Sequence, residues 1–256
     1  MNKEDRKKKN VKKNAEEIAL FLNDLVISDD KRIEISKELQ RSENWAVYRE
    51  CRLTASDFGA AAGHNPYCSP YELLNRKLWG GFKGNEKTDY GTFMEDTARD
   101  MAEVHFTKEY GKLGYTRIWI EETGLYIPAK YPWLGASADG ILHVRGGEGA
   151  GLPDLIFLVE IKCPYSRNFY PTIPHYYYDQ IQGCMALLGL KCCKFIVYIP
   201  EEIQISTFPF DENYWDTILF PELESWYMNK FIKRKNLQRK GILQTGQIDI
   251  IPVINL

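Results

Sequence analysis

Apolar residues recur at three- and four-residue spacing over 14–39, where Ile18, Phe21, Leu22, Leu25 and Val26 share a stripe, and the spacing predicts a helix. A second helical element carries Trp45 to Arg52. Thr54-Ala55-Ser56-Asp57 reads as a helix start with Thr54 or Ser56 as N-cap, and Gly63-His64-Asn65-Pro66 terminates that helix. Ser69-Pro70 opens a helix through Leu78, and the glycine- and lysine-rich stretch 80–91 reads as a loop. Thr92 to Phe106 returns to a helical stripe of Phe93, Ala98, Met101 and Val104, with Glu95 near its beginning. From Gly114 the period shortens: 115–120, 124–127, 134–143 and 155–161 are β-like runs separated by Gly, Pro and Asp. Tyr176 to Leu190 is helical again and ends at Gly189, and Lys194 to Ile199 is a strand of β-branched and aromatic residues. The order predicts an α/β core with a small mixed, largely antiparallel sheet flanked by helices.

With 256 residues, 44% hydrophobic and 13% aromatic, the chain can fill one sizeable core without covalent staples. It divides into a basic extension (1–16) that reads as a disordered arm, a single domain (17–221), and a C-terminal helix with a tail (222–256). No run of about 18 uncharged apolar residues occurs, and Glu16, Glu17 and Asp24 stand where a secretory segment would be apolar. The expectation is an intracellular protein that does not enter a membrane. The six cysteines form no CxxC pair and read as reduced, mostly buried thiols. Net charge is −2, which argues weakly against a polyanionic partner, but the charge is uneven. Residues 1–13 hold seven Lys/Arg against two acids, and residues 226–240 hold six against none. Either run can lie against phosphates or form a solvated face.

The strongest chemical signal is Ser137-Ala138-Asp139-Gly140 followed, after a turn, by Val159-Glu160-Ile161-Lys162. In a strand, alternate residues share a face, so Glu160 and Lys162 point one way while Ile161 points into the core and offers its backbone carbonyl beside them. With Asp139 opposite on a paired strand, two carboxylates and a carbonyl make an oxygen-rich seat suited to Mg²⁺ or Mn²⁺ rather than zinc. An isolated Asp and Glu-x-Lys more often form an exposed pair beside a turn. Here Phe157-Leu158-Val159 and Cys163-Pro164 flank the motif, a setting in which unpaired charges are costly.

Five segments in order resemble one family: Arg49-Glu50-Cys51-Arg52-Leu53-Thr54-Ala55-Ser56, Gly91-Thr92-Phe93-Met94-Glu95, Ser137-Ala138-Asp139-Gly140, Glu160-Ile161-Lys162-Cys163-Pro164 and Tyr177-Tyr178-Asp179-Gln180-Ile181-Gln182. They resemble the YqaJ-type viral recombinases, which include the phage lambda exonuclease, within the restriction-endonuclease-like PD-(D/E)XK nucleases. The resemblance spans about residues 45–200. It implies that Asp139, Glu160 and the Ile161 carbonyl bind the metal, that Lys162 serves the nucleophilic water, and that Glu95 adds an acid for water or a second ion. Taken alone, Glu95 pairs with Arg99 one turn on. Gln180 shares an inward stripe with Tyr177 and Cys184, and the resemblance places Gln180 at the catalytic site and Tyr177 against substrate. Arg49 and Ser56 match positions that hold a 5′-terminal phosphate, and Trp45, a turn before Arg49, is placed to stack on a base unless it is simply buried. The glycine-rich insertion Gly146–Gly151 and the basic extension depart from the phage pattern. His64, His105, His143 and His175 show no metal spacing and receive no catalytic role.

The resulting expectation is a Mg²⁺-dependent 5′→3′ exonuclease acting on double-stranded DNA ends and producing single strands for recombination or repair. The resemblance further implies a homo-oligomer, a trimeric ring, a single-strand annealing protein as partner, and a host cytoplasm or nucleus as compartment for a viral source. Its rivals are an endonuclease or alkaline-nuclease-like enzyme of the same fold, an inactive DNA-binding recombination scaffold, and a metal-independent interaction module.

Overall fold

A computed structural model of the protein describes residues 3–80, 84–149 and 151–245, with side chains from residue 12 onward. The chain opens with α1 (Lys3–Asn23), α2 (Asp29–Ser36), α3 (Glu43–Glu50), a two-residue strand β1 (Leu53–Thr54), and helices α4 (Phe58–Ala61), α5 (Pro70–Trp79) and α6 (Glu86–Gly111). Strands β2 (Tyr115–Glu121), β3 (Leu134–Gly135), β4 (Gly140–Gly146) and β5 (Leu155–Lys162) come next, then α7 (His175–Leu188), β6 (Cys192–Ile199) and β7 (Glu202–Pro209). Helical turns over 212–239 complete the fold, and two of them, Trp215–Leu219 and Trp226–Ile232, are wide π turns.

The main sheet runs β2-β4-β5-β6-β7, with β5 and β6 parallel and the other neighbours antiparallel. A parallel pair needs both faces covered, which explains why the near-continuous apolar run Leu155 to Ile161 lies at mid-sheet. Val159, Ile161, Ile196 and Tyr198 pack under α6 with Ala98, Ala102 and Phe106, whereas Leu158, Cys193, Phe195 and Val197 face α7 and the C-terminal helical turns. Alternation along β5 therefore sends Glu160 and Lys162 toward α7.

Helix α7 lies close to α4 because glycines leave room. A Cβ on Gly183 would sit 2.3 Å from two Phe58 ring carbons, and one on Gly59 would sit 2.5 Å from Tyr176 Cβ. At its other end α7 closes on Gly189 in the left-handed region (φ 72°), as the sequence predicts.

The structure corrects several boundaries. The helix expected over 14–39 is two helices. Ser28 caps the second by accepting from the Lys31 amide, and Asp29 and Asp30 occupy its first turn. From Lys3 onward the basic extension is helical, as the first turns of α1. Asn85 caps α6 at Glu86, so the expected loop 80–91 is shorter and Glu95 stands well inside the helix rather than near its start. The run 134–143 breaks in two: Leu134 and Gly135 pair in parallel with Leu53 and Thr54, and β4 begins only at Gly140. Segment 124–127 contributes a single bridge, Tyr126 to Ala136. Strand β7 adds an edge that the sequence pattern signals only weakly, through Ile203 and Ile205 alternating with polar residues, and the last helical run begins at Glu212 rather than 222. Residues 81–83 of the loop, 150 of the glycine-rich insertion and 246–256 of the tail lie outside the described residues.

Three of the six cations in the C-terminal basic run are paired within the chain: Lys235 with Glu50 (3.1 Å), Arg239 with Asp24 (3.4 Å) and Lys240 with Glu17 (2.7 Å). The six cysteines are free thiols, and among the described residues no helix is long and apolar enough to cross a membrane. Gly183→Ala is expected to lower stability by about 1–3 kcal/mol, read from the chemical-denaturation midpoint, because α4 and α7 must part around Phe58. An unchanged midpoint would show that the Phe58 ring yields without cost.

Candidate active site

Gly140 faces Val159 in the β4–β5 register, so Asp139 enters β4 opposite Glu160. Asp139 Oδ2 accepts the Ile161 amide at 2.7 Å, which fixes that carboxylate against the end of β5. The Glu160 side chain is fully buried. Its Oε1 accepts from both Lys162 Nζ and, at 2.5 Å, Gln180 Nε2. Its Oε2 is buried and has no hydrogen-bond partner. Ile161 packs under α6, as alternation requires.

The electrostatics derive from burial. Desolvation, and then the neighbouring Asp139, push the Glu160 carboxyl up to about 8. Burial alone would lower the Lys162 ammonium, but Glu160 and Asp139 outweigh it and hold Lys162 above its usual range. Lys162 stays charged, with Nζ 4.9 Å from the Tyr177 ring centroid.

Glu95 projects from α6 and is raised by burial and by Asp139, while Arg41 and Arg99 oppose that shift. Its oxygens are already engaged, by Arg41 at 2.8 Å and by Arg99 at 3.1 Å, the i,i+4 contact expected of it in isolation. Nothing in the local pattern around Arg41 links it to a residue 54 positions away, so its part in the site is invisible in the sequence. The same is true of Gln40. Its side-chain amide donates to the carbonyls of Thr123 (2.9 Å) and Ala138 (2.7 Å) and so braces the backbone beside Asp139.

At the other side of the cleft, Arg49 stacks on Trp45 (4.1 Å to the ring centroid) and donates to Ser56 Oγ at 3.0 Å and Ser137 Oγ at 3.3 Å. Trp45 Nε1 also donates to Ser137 Oγ, at 3.0 Å. Neither Ser56 nor Thr54 caps a helix through its side chain, contrary to expectation. Ser56 lies instead in a tight turn after β1, and the β1–β3 pairing carries it toward Ser137. Among the described residues no carboxylate lies within 4.0 Å of the Arg49 guanidinium, and burial lowers its pKa. A half-buried cation bonded only to neutral groups is suited to an incoming anion.

Trp45, Arg49, Glu95, Asp139, Lys162 and Gln180 line one open cleft of about 970 Å³, together with Tyr67, Tyr165, Tyr170 and Tyr176, and Glu160 is buried behind its floor. Of this tyrosine-rich wall the sequence motifs point only to Tyr177. The other rings are visible in the sequence as the dense tyrosines of 165–178, but no motif gives them a role. A divalent cation fits the acid side of the cleft: the donors are hard carboxylate oxygens, and the unpartnered Glu160 Oε2 is a buried polar atom that lacks what an ion would supply. Asp139, Glu160 and the Ile161 carbonyl would hold it.

A carboxyl whose folded-state pKa is raised contributes stability at low pH that is lost as pH climbs through the folded value. Metal-free protein is therefore expected to lose thermal stability between about pH 4.5 and about pH 8, with Mg²⁺ restoring most at the alkaline end. Glu160→Gln should flatten both dependences. A melting temperature indifferent to Mg²⁺ at alkaline pH would count against an ion at this site.

Residues 44–191 match the YqaJ-like viral recombinase domain. Protein D345L of African swine fever virus (strain Badajoz 1971 Vero-adapted) is 32% identical over 167 residues, 58% of this chain and 46% of that protein. The uncharacterized protein R354 of Acanthamoeba polyphaga mimivirus is 26% identical over 188 residues, 66% of this chain and 32% of that one. The chain thus spans less than half the length of these relatives. The crystal structure of an alkaline exonuclease, LHK-Exo from Laribacter hongkongensis, superposes with a TM-score of 0.54 at 22% identity, covering 79% of this chain and all (100%) of that one. Its complex with dAMP gives a TM-score of 0.52. By the match over more than half its length, the chain belongs to the YqaJ-like viral recombinase domain family, built on a fold that LHK-Exo shares.

Proposed function

We propose that the protein is a Mg²⁺-dependent deoxyribonuclease that degrades linear duplex DNA from its 5′ ends, with Mn²⁺ as a substitute ion, and leaves single strands for recombination or repair. One observation carries the reading: Arg49, stacked on Trp45 and bonded only to neutral hydroxyls, shares a cleft with Asp139 and Lys162, and Asp139 stands opposite the buried Glu160. Family membership and the fold shared with an alkaline exonuclease support it.

The reaction adds a water oxygen to phosphorus and breaks the P–O3′ bond. The 3′ oxygen leaves with a proton, and the shortened strand carries a new 5′-phosphate. That product group is what Arg49, Ser56 and Ser137 are arranged to bind, so each cut would create the next recognition element. A bound divalent ion supplies Lewis-acid stabilisation of the charge on the phosphate oxygens. Lys162, kept protonated by Glu160 and Asp139, orients the water and offsets charge in the transition state. Gln180 fixes Glu160 through Oε1, and Oε2, without a protein partner, would be the oxygen available to hold an ion. Tyr177 keeps the Lys162 ammonium in place through its ring face, and Trp45 flanks the terminal nucleotide.

Lys162→Ala is expected to slow release of nucleotides from end-labelled duplex by about 10²–10⁴-fold in Mg²⁺. Internal cutting of circular DNA by the wild type would replace the reading with an endonuclease, and Mg²⁺-independent DNA binding without cleavage would leave a scaffold. Arg49→Ala should act differently. A charge-assisted hydrogen bond contributes about 1.5–3 kcal/mol, so the preference for 5′-phosphorylated over 5′-hydroxyl ends should fall by about 10–150-fold. Equal loss on both kinds of end would remove Arg49 from phosphate recognition.

A further inference from the structure

Behind the tyrosine wall of the cleft, three residues without an assigned role converge. His64 comes just after α4, while His175 and Asp179 stand one turn apart on the first turns of α7. His64 Nδ1 lies 2.9 Å from Asp179 Oδ2, and His175 Nε2 lies 3.8 Å from Asp179 Oδ1. The three ligand atoms all fall within 4.8 Å of one another, and among the described residues no other group of three His, Cys, Asp or Glu does so. The histidines show no metal spacing along the chain, and it is the fold that brings His64, which precedes the sheet strands in sequence, against His175, which follows β5.

Asp179 is fully buried, and the groups that pair with it are these two imidazoles and the Tyr214 hydroxyl, which donates to Oδ1. No Lys or Arg among the described residues lies within 4.0 Å of it. A buried carboxylate without a fixed cation is costly, and a bound cation relieves it. Two imidazole nitrogens and one carboxylate oxygen form a borderline N₂O donor set, which selects Zn²⁺ and its neighbours over Mg²⁺. A tetrahedral ion with bonds of about 2.0–2.1 Å separates its ligand atoms by about 3.3–3.4 Å. The three ligand atoms, within 4.8 Å of one another, need only a small contraction to reach that value.

We propose that His64, His175 and Asp179 form a second metal site, specific for Zn²⁺-class ions and separate from the carboxylate seat of Asp139 and Glu160. The two imidazole rings stack at 4.0 Å with planes 10° apart, so binding requires them to splay until both lone pairs reach the ion. His175 is half-exposed and free to turn, whereas His64 and Asp179 are held. Tyr214, 2.8 Å from His175 Nε2, gives up that contact and keeps its bond to Asp179, fixing the carboxylate. A loaded ion ties the segment after α4 to the start of α7. The next residue along α7 is Gln180, whose side chain bonds Glu160. The ion is a structural staple behind the catalytic wall, and its presence does not depend on the nuclease reading.

The test uses the whole chain with Asp139→Asn, so that the acid pair cannot hold an ion strongly, freed of metal with a chelator and without DNA. Titration with Zn²⁺ should show one equivalent bound, together with a rise in melting temperature. Adding His175→Gln should weaken the binding by at least about tenfold and abolish the rise, while the far-ultraviolet circular dichroism stays unchanged. Co²⁺ should give a visible absorption band that His175→Gln removes. One equivalent of Zn²⁺ bound equally well by His175→Gln, or none bound by the parent, would overturn the site. His64→Gln provides an independent second variant with the same expected loss.

Discussion

Glu160 is the constraint around which the site is organised. A carboxylate at the centre of a sheet, with no exposed surface, costs several kcal/mol to ionise unless its oxygens are satisfied. The fold satisfies one oxygen twice, through Lys162 and Gln180, and the other not at all. Small motions do not relieve that asymmetry, because Oε2 is enclosed while Asp139 raises the local negative potential beside it. The arrangement is tolerable without metal because a proton stays on the acid up to about pH 8, and an ion bound there would compete with that proton for the same buried group.

The neighbouring structure holds that geometry. Gln180 reaches Glu160 from α7, which packs over β5 and β6, and α4 closes on α7 because Gly59 and Gly183 present no side chain to Tyr176 and Phe58. The Arg49 side of the cleft is tied to the same framework through Ser137, whose hydroxyl accepts from Trp45 and Arg49 two residues before Asp139. Gln40 bonds the intervening Ala138 carbonyl. Movement of α3 is thereby passed to the acid pair through a few hydrogen bonds, and α3 is itself anchored at Glu50 by Lys235 from the C-terminal turns.

What the sequence discloses divides along the range of the forces involved. Alternation on Glu160-Ile161-Lys162, the cap at Ser69-Pro70 and the stop at Gly189 are local, and each appears where the pattern puts it. The split of 14–39 is also locally written, in Ser28-Asp29-Asp30, but an apolar stripe running through it masks the cap. The early start of α6 rests on Asn85 and Thr88 exchanging bonds as a capping box, inside a stretch whose glycines and lysines look like a loop. By contrast, the Arg41–Glu95 and Gln40–Ala138 contacts and the meeting of His64 with His175 depend on tertiary folding alone. No spacing rule reaches them.

The role of Glu95 turns on which of its two ion pairs yields. Arg99 is held on a second side by Asp96 and Glu122, at 2.8 and 2.9 Å, and its side chain is only 12% exposed. Arg41 has 53% of its side chain exposed, so its bond to Glu95 is screened by water and contributes about 0–1 kcal/mol. Glu95 therefore exchanges Arg41 for another cationic partner at little cost while Arg99 keeps its backbone end oriented. A guanidinium released at the mouth of the cleft also adds positive potential where a phosphate would enter. On the acid side of the cleft Glu95 and Asp139 stand against Arg41, Arg99 and Lys162, and the charges balance three against three only once Glu160 ionises. Any ion that joins the acids must displace one of these cations or a proton, and the half-exposed Arg41 is the one whose departure costs least.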